Sequence, residues 1–593
     1  MLAGLAYGSS LRGHFAGDDH TLIIGNPDFH NLANAPRMFT IGFANKDYDP
    51  NPIYYRPLVA VSFQLDHAIY GMRPFGFRLT NLMLHAVAVV LVFFLARRLT
   101  ESPHPAGLAA TLFAVHPSHA ESVAWISQRT DVIATVFSLA SCLVLLRDVR
   151  FALLRAIVVC AFVLLALTAK ENAIVMPVIL IAMVFTQGGK SRMAEAAKWA
   201  AALLVVVAIY AALRINAIGA VPQTPIGFML GRRLLCVGIA FAAYLRMLFV
   251  PLETCPIYDV FSFGARYPWL AVAAWTLPVG LAALAVWARR VQSLLALCAL
   301  WLLLTILPVC NILPTLGPLP AERFVYLPSV ASSILFGLLA RKLWRYRPPG
   351  LRVAGAGSSM LIAGFVVYCL GLCLSSASIY TTDLNWARRV DEIGPRFTVY
   401  RVMIADIFRE NGALDAAERN YLWAIASIHR RDPGVVASRQ IAAAFTGMAS
   451  LRRMAGKFDE ALAILDAGAR EMGDNADIRY DRGVTYARMG NLNLARQNFA
   501  LAAKWDPTNG LAWRSLAKAE HALGILPEAA KSYEQALKNG KLSITDRLEM
   551  AEIYRKLGRK IQARAHYRYV IARARGHALV DKAKAGLDNI GPK

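Results

Sequence analysis

The stretch LTNLMLHAVAVVLVFFL, residues 79–95, contains no Asp, Glu, Lys or Arg. A helix rises about 1.5 Å per residue, and about 20 apolar residues cross a ~30 Å hydrocarbon core. The segment therefore reads as the body of a membrane span. Residues 271–287 and 358–374 are equally free of charge. Over 593 residues the chain is 56% hydrophobic and 17% charged, with a mean hydropathy of +0.42. Soluble domains are about a quarter charged, so a purely soluble chain is excluded. The 64 Lys and Arg against 39 Asp and Glu give a net charge of +25. Many of these cations, such as Arg97-Arg98, Arg289-Arg290 and Arg341-Lys342, punctuate apolar segments. They read as topology signals and exclude a nucleic-acid footprint. The eight cysteines all precede residue 377, mostly within apolar segments. They read as small packing residues. The Cys369 and Cys373 pair, one helical turn apart, lacks a third ligand.

The composition changes near residue 377. Residues 1–376 read as a polytopic membrane domain, and 377–593 as a soluble one. Candidate spans lie near 79–97, 105–115, 131–147, 153–169, 173–186, 196–213, 233–250, 268–288, 292–310, 326–341 and 353–376, and Met1–Leu11 would make a twelfth. The basic loop from Arg341 to Arg352 is expected in the cytoplasm, which puts the tail outside. Twelve crossings would put it inside, so one segment between 150 and 250 is expected not to cross fully, leaving about eleven spans. The opening segment, broken by Arg12, is shorter than a span. From Thr381 onward 35 Lys and Arg face 24 Asp and Glu.

The tail contains a 34-residue repeat. From Ala476, frame positions 8, 11, 20, 24, 27 and 32 are Gly483, Tyr486, Ala495, Phe499, Ala502 and Pro507, the tetratricopeptide pattern. The next frames give Trp513, Ala517, Gly524, Ala529, Tyr533 and Ala536, then Ala551, Tyr554, Gly558, Ala563 and Tyr567. Weaker frames pass through Ala449, Gly456 and Ala461, and through Ala405, Gly412 and Ala417. About five repeats are expected, clearest over 476–577. Stacked helix pairs bury a shared core and present a groove for a protein segment. The expected fold is thus all-α: a helical membrane domain followed by an α-solenoid.

Polar clusters interrupt the apolar half on loops assigned to the outside. Gly17-Asp18-Asp19-His20 puts two carboxylates side by side, which suits a base or is plain solvated charge. In Tyr55-Arg56-Pro57-Leu58 the arginine either snorkels or binds phosphate. His116-Pro117-Ser118-His119-Ala120-Glu121 precedes Arg129-Thr130-Asp131. Ionisable groups at membrane depth read as functional. The two-His-one-Glu set suggests zinc, but a three-residue His spacing after proline is not the helical HExxH arrangement. Lys170-Glu171, Tyr258-Asp259 and Glu322-Arg323 through Tyr326 complete the set; each alone would pass as a structural ion pair.

The order of Gly17-Asp18-Asp19, Asn26-Pro27, Tyr55-Arg56-Pro57-Leu58, Asn81 to His85, His116 to Glu121, Lys170-Glu171 and Ala321 to Pro328, ahead of a tetratricopeptide tail, resembles the TMTC-type protein O-mannosyltransferases and their bacterial relatives. The resemblance covers nearly the whole chain. It implies a GT-C membrane glycosyltransferase that moves a sugar, mannose or another hexose, from a polyprenyl-phosphate carrier to a protein hydroxyl at the extracytoplasmic face, with inversion, in a bacterial inner membrane. By the resemblance Asp18 or Asp19 takes the acceptor proton. Arg56, Lys170 and Arg323 hold the leaving phosphate. His116, His119, Glu121, Arg129, Asp131, Glu171, Glu322 and Tyr326 line the donor site, with His85 and Asn81 facing it. The expected partners are the lipid-linked sugar, membrane lipid and a protein in the repeat groove. No metal is obligatory with a monophosphate donor, whereas a pyrophosphate donor calls for a divalent cation. The family carries a complete span before the Asp-Asp loop, and here Met1–Phe15 stands in that place. Two other classes fit parts of the pattern. One is a non-catalytic scaffold that recruits partners through the repeats. The other is a transporter or flippase, for which no inverted repeat is evident.

Overall fold

The computed structural model describes residues 1–43, 54–147, 151–186, 192–219, 230–258, 266–310, 320–345, 354–394, 398–427, 438–540, 542–574 and 577–591. Asp259, the loops at 311–319 and 346–353, and the insertion around 430–437 lie outside them. The described residues are helical, without strands, and form two compact units, Met1–Pro395 and Arg396–Lys593. The division falls one short helix beyond the composition change at residue 377.

Among the described residues of the first unit, seven helices of 18 residues or more are apolar enough to cross a membrane: Pro74–Thr100, Ile126–Leu145, Ala152–Ala169, Arg192–Ile218, Pro268–Ala288, Ser293–Cys310 and Ser359–Ile379. Four shorter or less apolar helices occupy the other expected positions: Pro103–Ala114, Met176–Thr186, Leu230–Phe249 and Ser329–Arg345. The chain is an integral membrane protein. The opening segment is a six-residue helix, Leu2–Tyr7, followed by a 3-10 turn, Gly8–Arg12.

The site is carried by α1, Pro57–Tyr70, by α2, Pro74–Thr100, and by α3, Arg129–Leu145. Both α1 and α2 start on proline, whose missing N–H costs nothing in a first turn. On α2, Met83, Val87, Val90 and Phe94 are exposed, while His85, Ala88, Val92 and Leu95 are fully buried. This one-sided burial at 3–4 residue spacing is that of a helix with a lipid face. At Gly337 in Ser329–Arg345 a Cβ would sit 2.4 Å from the Pro105 carbonyl oxygen, so glycine lets those two helices meet. After the last span, Thr382 caps the helix Asp383–Ile393, α4 here, by accepting from the Asn385 amide.

The described residues of the second unit form five helix pairs and a closing helix, His577–Asp588. Within four pairs the chain turns at Gly456, Gly490, Gly524 and Gly558, at φ of 75°, 81°, 76° and 73°. This left-handed backbone favours glycine, and the 34-residue spacing of the turns is the repeat itself. Ala495, Ala502, Ala529, Ala536, Ala551 and Ala563 are fully buried, and Phe499, Tyr533 and Tyr567 fill the space between helices.

Candidate active site

The loops preceding α1, joining Pro103–Ala114 to α3, following Ala152–Ala169 and preceding Ser329–Arg345 meet at one end of the membrane unit. The turn at Gly17 sets the geometry of the first. Its φ is +54°, and a Cβ would lie 2.6 Å from the Trp125 ring. Trp125 in turn donates its indole N–H to the Ala16 carbonyl at 2.8 Å. Only glycine fits there, and the turn points the two aspartates in different directions. Asp19 turns inward, fully buried. It accepts the Ala16 amide at 3.1 Å and the Ser127 amide at 2.8 Å, joining the first loop to the second. Burial raises its pKa to about 6, against the two amide bonds and the Arg78 charge. Asp18 is exposed on the wall of a cavity of about 250 Å³. Gln128 Nε2 lies 3.4 Å from it. Partial dehydration raises the Asp18 pKa, and Arg323 and Arg56 oppose the rise.

The same cavity is lined by Arg56, Lys170, Glu171 and Arg323, with Tyr54 and Phe324 as aromatic walls. Each cation is locked by a carboxylate distant in sequence. Arg56 makes a fork with Glu171, Nη2–Oε1 2.7 Å and Nε–Oε2 3.2 Å, over the Tyr54 ring at 4.2 Å. Lys170 Nζ lies 2.6 Å from Asp131 and 4.6 Å from the Phe324 ring centroid. Arg323 pairs with Glu121, whose second oxygen accepts the Arg323 amide at 2.9 Å. Burial pulls the Lys170 pKa down to about 8 against the attraction of Asp131. Burial pushes Glu171 up, but the charge and hydrogen bonds of Arg56 outweigh it and hold the carboxyl at about 2. A guanidinium has five N–H donors and an ammonium three, so these pairs fix each cation's direction without consuming its donors.

Several residues expected at the donor site stand elsewhere. Arg129 is fully buried, pairs with Asp66 at 2.6 Å, donates to the Phe77 carbonyl at 2.8 Å and stacks on Phe63 at 4.5 Å. It ties α3 to α1 and α2, because a buried guanidinium needs a counter-ion and filled donors. His116 is buried, its Nε2 3.4 Å from the Leu248 carbonyl. Burial brings its pKa to about 4, so it is neutral at pH 7. His119 bonds Ser329 Oγ at 2.8 Å and packs on Tyr326, ring centroids 4.4 Å apart. Tyr326 bonds His85 Nδ1 at 2.6 Å. These side chains form a buried aromatic and imidazole core beside the cavity. His116, His119 and Glu121 take separate partners, and no cluster of three or more metal-binding side chains occurs among the described residues. Asn81 donates to the Trp125 carbonyl at 3.1 Å. Glu322 takes the Cys255 amide at 2.6 Å and the Tyr258 hydroxyl at 2.8 Å, and burial raises its pKa to about 8.

The sequence reading missed three residues. Arg78, fully buried on α2, donates to the carbonyls of His14, Ala124 and Tyr380; an arginine inside an apolar run was the available signal. Asp66 has a similar signal. Asp383 begins α4 and holds the aspartate loop from its far side, accepting the Gly17 amide at 2.6 Å and meeting His20 Nε2 at 2.8 Å.

A helical membrane unit with a carboxylate and three anchored cations around one cavity, joined to tetratricopeptide repeats, defines the class. Residues 52–214 match the family model described as dolichyl-phosphate-mannose-protein mannosyltransferase, and residues 452–520 a tetratricopeptide repeat model. Protein O-mannosyl-transferase F38B6.6 of Caenorhabditis elegans is 23% identical over 442 residues, 72% of this chain and 61% of that protein. Protein O-mannosyl-transferase TMTC1 of Homo sapiens is 39% identical over 148 residues, 23% of this chain and 17% of that protein. The matched regions thus span 61% or less of these relatives. Among solved structures, YrrB, titled a TPR protein with an unusual peptide-binding site, aligns over 34% of this chain and 97% of its own, at 16% identity and a TM-score of 0.26. In its motifs and over the matched segments the chain is similar to the TMTC-type proteins.

Proposed function

We propose that this protein is a membrane glycosyltransferase of GT-C type that moves a hexose, mannose by family, from a polyprenyl-phosphate carrier to a protein hydroxyl. One observation carries the reading: Asp18 and the three anchored cations Arg56, Lys170 and Arg323 line a single cavity. The acceptor oxygen attacks the anomeric carbon, its proton passes to Asp18, and the carbon–oxygen bond to the phosphate breaks. The polyprenyl phosphate leaves with the bond's electrons, and displacement from the opposite face inverts the centre. The remaining donors of Arg56, Lys170 and Arg323 stabilise the charge that grows on the phosphate. Asp18, rather than Asp19, is the base, because Asp19 spends its oxygens on backbone amides. Glu121, Asp131 and Glu171 orient the cations; Arg129, His116, His119, Glu322 and Tyr326 support the walls. A monophosphate donor needs no metal, and a pyrophosphate donor would bring a divalent cation with it. The repeats present the acceptor or hold a partner, on the extracytoplasmic side of a bacterial inner membrane.

The test is transfer from polyprenyl-phosphate mannose to acceptor protein by the purified full chain. Asp18→Asn is expected to abolish transfer while retaining donor binding, and equal rates for wild type and variant would refute the carboxylate mechanism. Topology is checked with a reporter after Lys593, expected outside; a cytoplasmic signal would remove the repeats from acceptor presentation.

A further inference from the structure

At the far end of α2 and α3, about 25 Å along a 17-residue helix from the candidate site, lies a second cavity, of about 780 Å³. Arg97 and Arg98 in the last turn of α2 and Arg147 just beyond α3 line it, with Glu101 as the one acidic residue among the described lining residues and Phe94 and Leu143 as apolar wall. Arg98 Nη2 donates to the Leu146 carbonyl at 3.0 Å, fastening the two helix ends together. Arg341 Nη1 lies 3.4 Å from the Thr100 carbonyl, adding a fourth cation to this end of the unit. Phe94 is 49% exposed on the lipid face of α2, directly below the arginines.

We infer that this cavity is a binding site for the phosphate headgroup of an anionic glycerophospholipid, with an acyl chain running down over Phe94. Among the described lining residues three guanidinium groups face one carboxylate, a balance that favours an anion. Arginines at the ends of spans are common topology signals, but these three line one open cleft together with apolar side chains. An aromatic at the hydrocarbon boundary beneath them gives the cavity two chemistries in the vertical order of a phospholipid, headgroup above chain. A soluble phosphate would use only the upper half. Basic pockets between spans recognise lipid headgroups through such residues. The inference does not depend on the transferase reading, since it concerns the opposite end of the unit.

Full-length protein in neutral detergent, titrated separately with dioleoyl-phosphatidylglycerol and dioleoyl-phosphatidylcholine and examined by native mass spectrometry, tests it. One phosphatidylglycerol should be retained under conditions that strip phosphatidylcholine, and excess inorganic phosphate should not displace it. Arg97→Gln with Arg147→Gln should weaken retention at least ~tenfold, while Arg289→Gln with Arg290→Gln, the same charge change elsewhere, should leave it intact. Phe94→Gln, at a half-exposed position, should weaken it severalfold with all charges in place. Equal retention of the two lipids, retention unchanged in the Arg97/Arg147 and Phe94 variants, or displacement by free phosphate would overturn the assignment and leave the arginines as caps of two helix ends.

Discussion

Replacing Asp383 by alanine removes both anchors that hold the aspartate loop from the α4 side. The carboxylate accepts the Gly17 amide at 2.6 Å and meets His20 Nε2 at 2.8 Å. A hydrogen bond to a charged group contributes roughly 1.5–3 kcal/mol when shielded. Here the Asp383 and His20 side chains keep 31% and 48% of their surface, which places the amide bond near the lower bound and the histidine pair at about 0.5 kcal/mol. The sum, about 2 kcal/mol, is a roughly 30-fold change in the ratio of docked to undocked loop. Amide hydrogen exchange followed by mass spectrometry on peptides covering residues 13–25 reads that ratio directly. Asp383→Ala should lose protection there about 30-fold, with peptides from α3 unchanged. Asp383→Asn keeps an acceptor for the Gly17 amide and should lose only about threefold. Asp18 lies between the two anchored residues, so sugar transfer should fall in the same order, alanine below asparagine below wild type. Undiminished protection in the alanine variant would refute the claim that α4 holds this loop.

Asp66→Ala leaves the fully buried Arg129 without its counter-ion. It should cost about 3–5 kcal/mol, seen as earlier thermal unfolding of the membrane unit, most of it recovered when Arg129→Met is added. Lys170 loses its charge as pH rises through about 8. kcat/KM for a lipid-phosphate donor should therefore fall on the alkaline side of that value, and Lys170→Arg should move the fall to higher pH; a flat profile to pH 10 would exclude Lys170 from phosphate binding. In the repeats, a Cβ on Gly483 would stand 2.6 Å from the Phe499 ring. Gly483→Ala should destabilise by roughly 1–3 kcal/mol, measured as faster limited proteolysis within 476–507 of the full chain.

The fold was legible where the signal is periodic. A 34-residue spacing of small and aromatic residues survives any change of context, because each repeat buries the same face against the next, and Gly483, Phe499 and Ala502 stand where that arithmetic puts them. Apolar runs such as 79–95 were equally plain. The polar composition of the short helix Asp383–Ile393 points to the tail, yet the helix belongs to the membrane unit. At the candidate site the chemistry was readable and the directions were not. Asp18 and Asp19 are neighbours that a single glycine turn sends to opposite sides. Arg129 looked like Arg56 in a list of charges, and only the positions of Asp66 and Glu171, 63 residues before the one and 115 after the other, separate a buried tie from a cavity wall. Pairings across such distances leave no local pattern to read.

The three carboxylate latches on Arg56, Lys170 and Arg323 bear on how this protein can change over time. Each latch joins segments encoded far apart, so a drift in one member strands an opposite charge in a dry place. Lineages can swap such residues two at a time, or exchange the members of a pair, far more readily than they can lose one. Across relatives, substitutions at 56 and 171, at 131 and 170, and at 121 and 323 should arrive as couples.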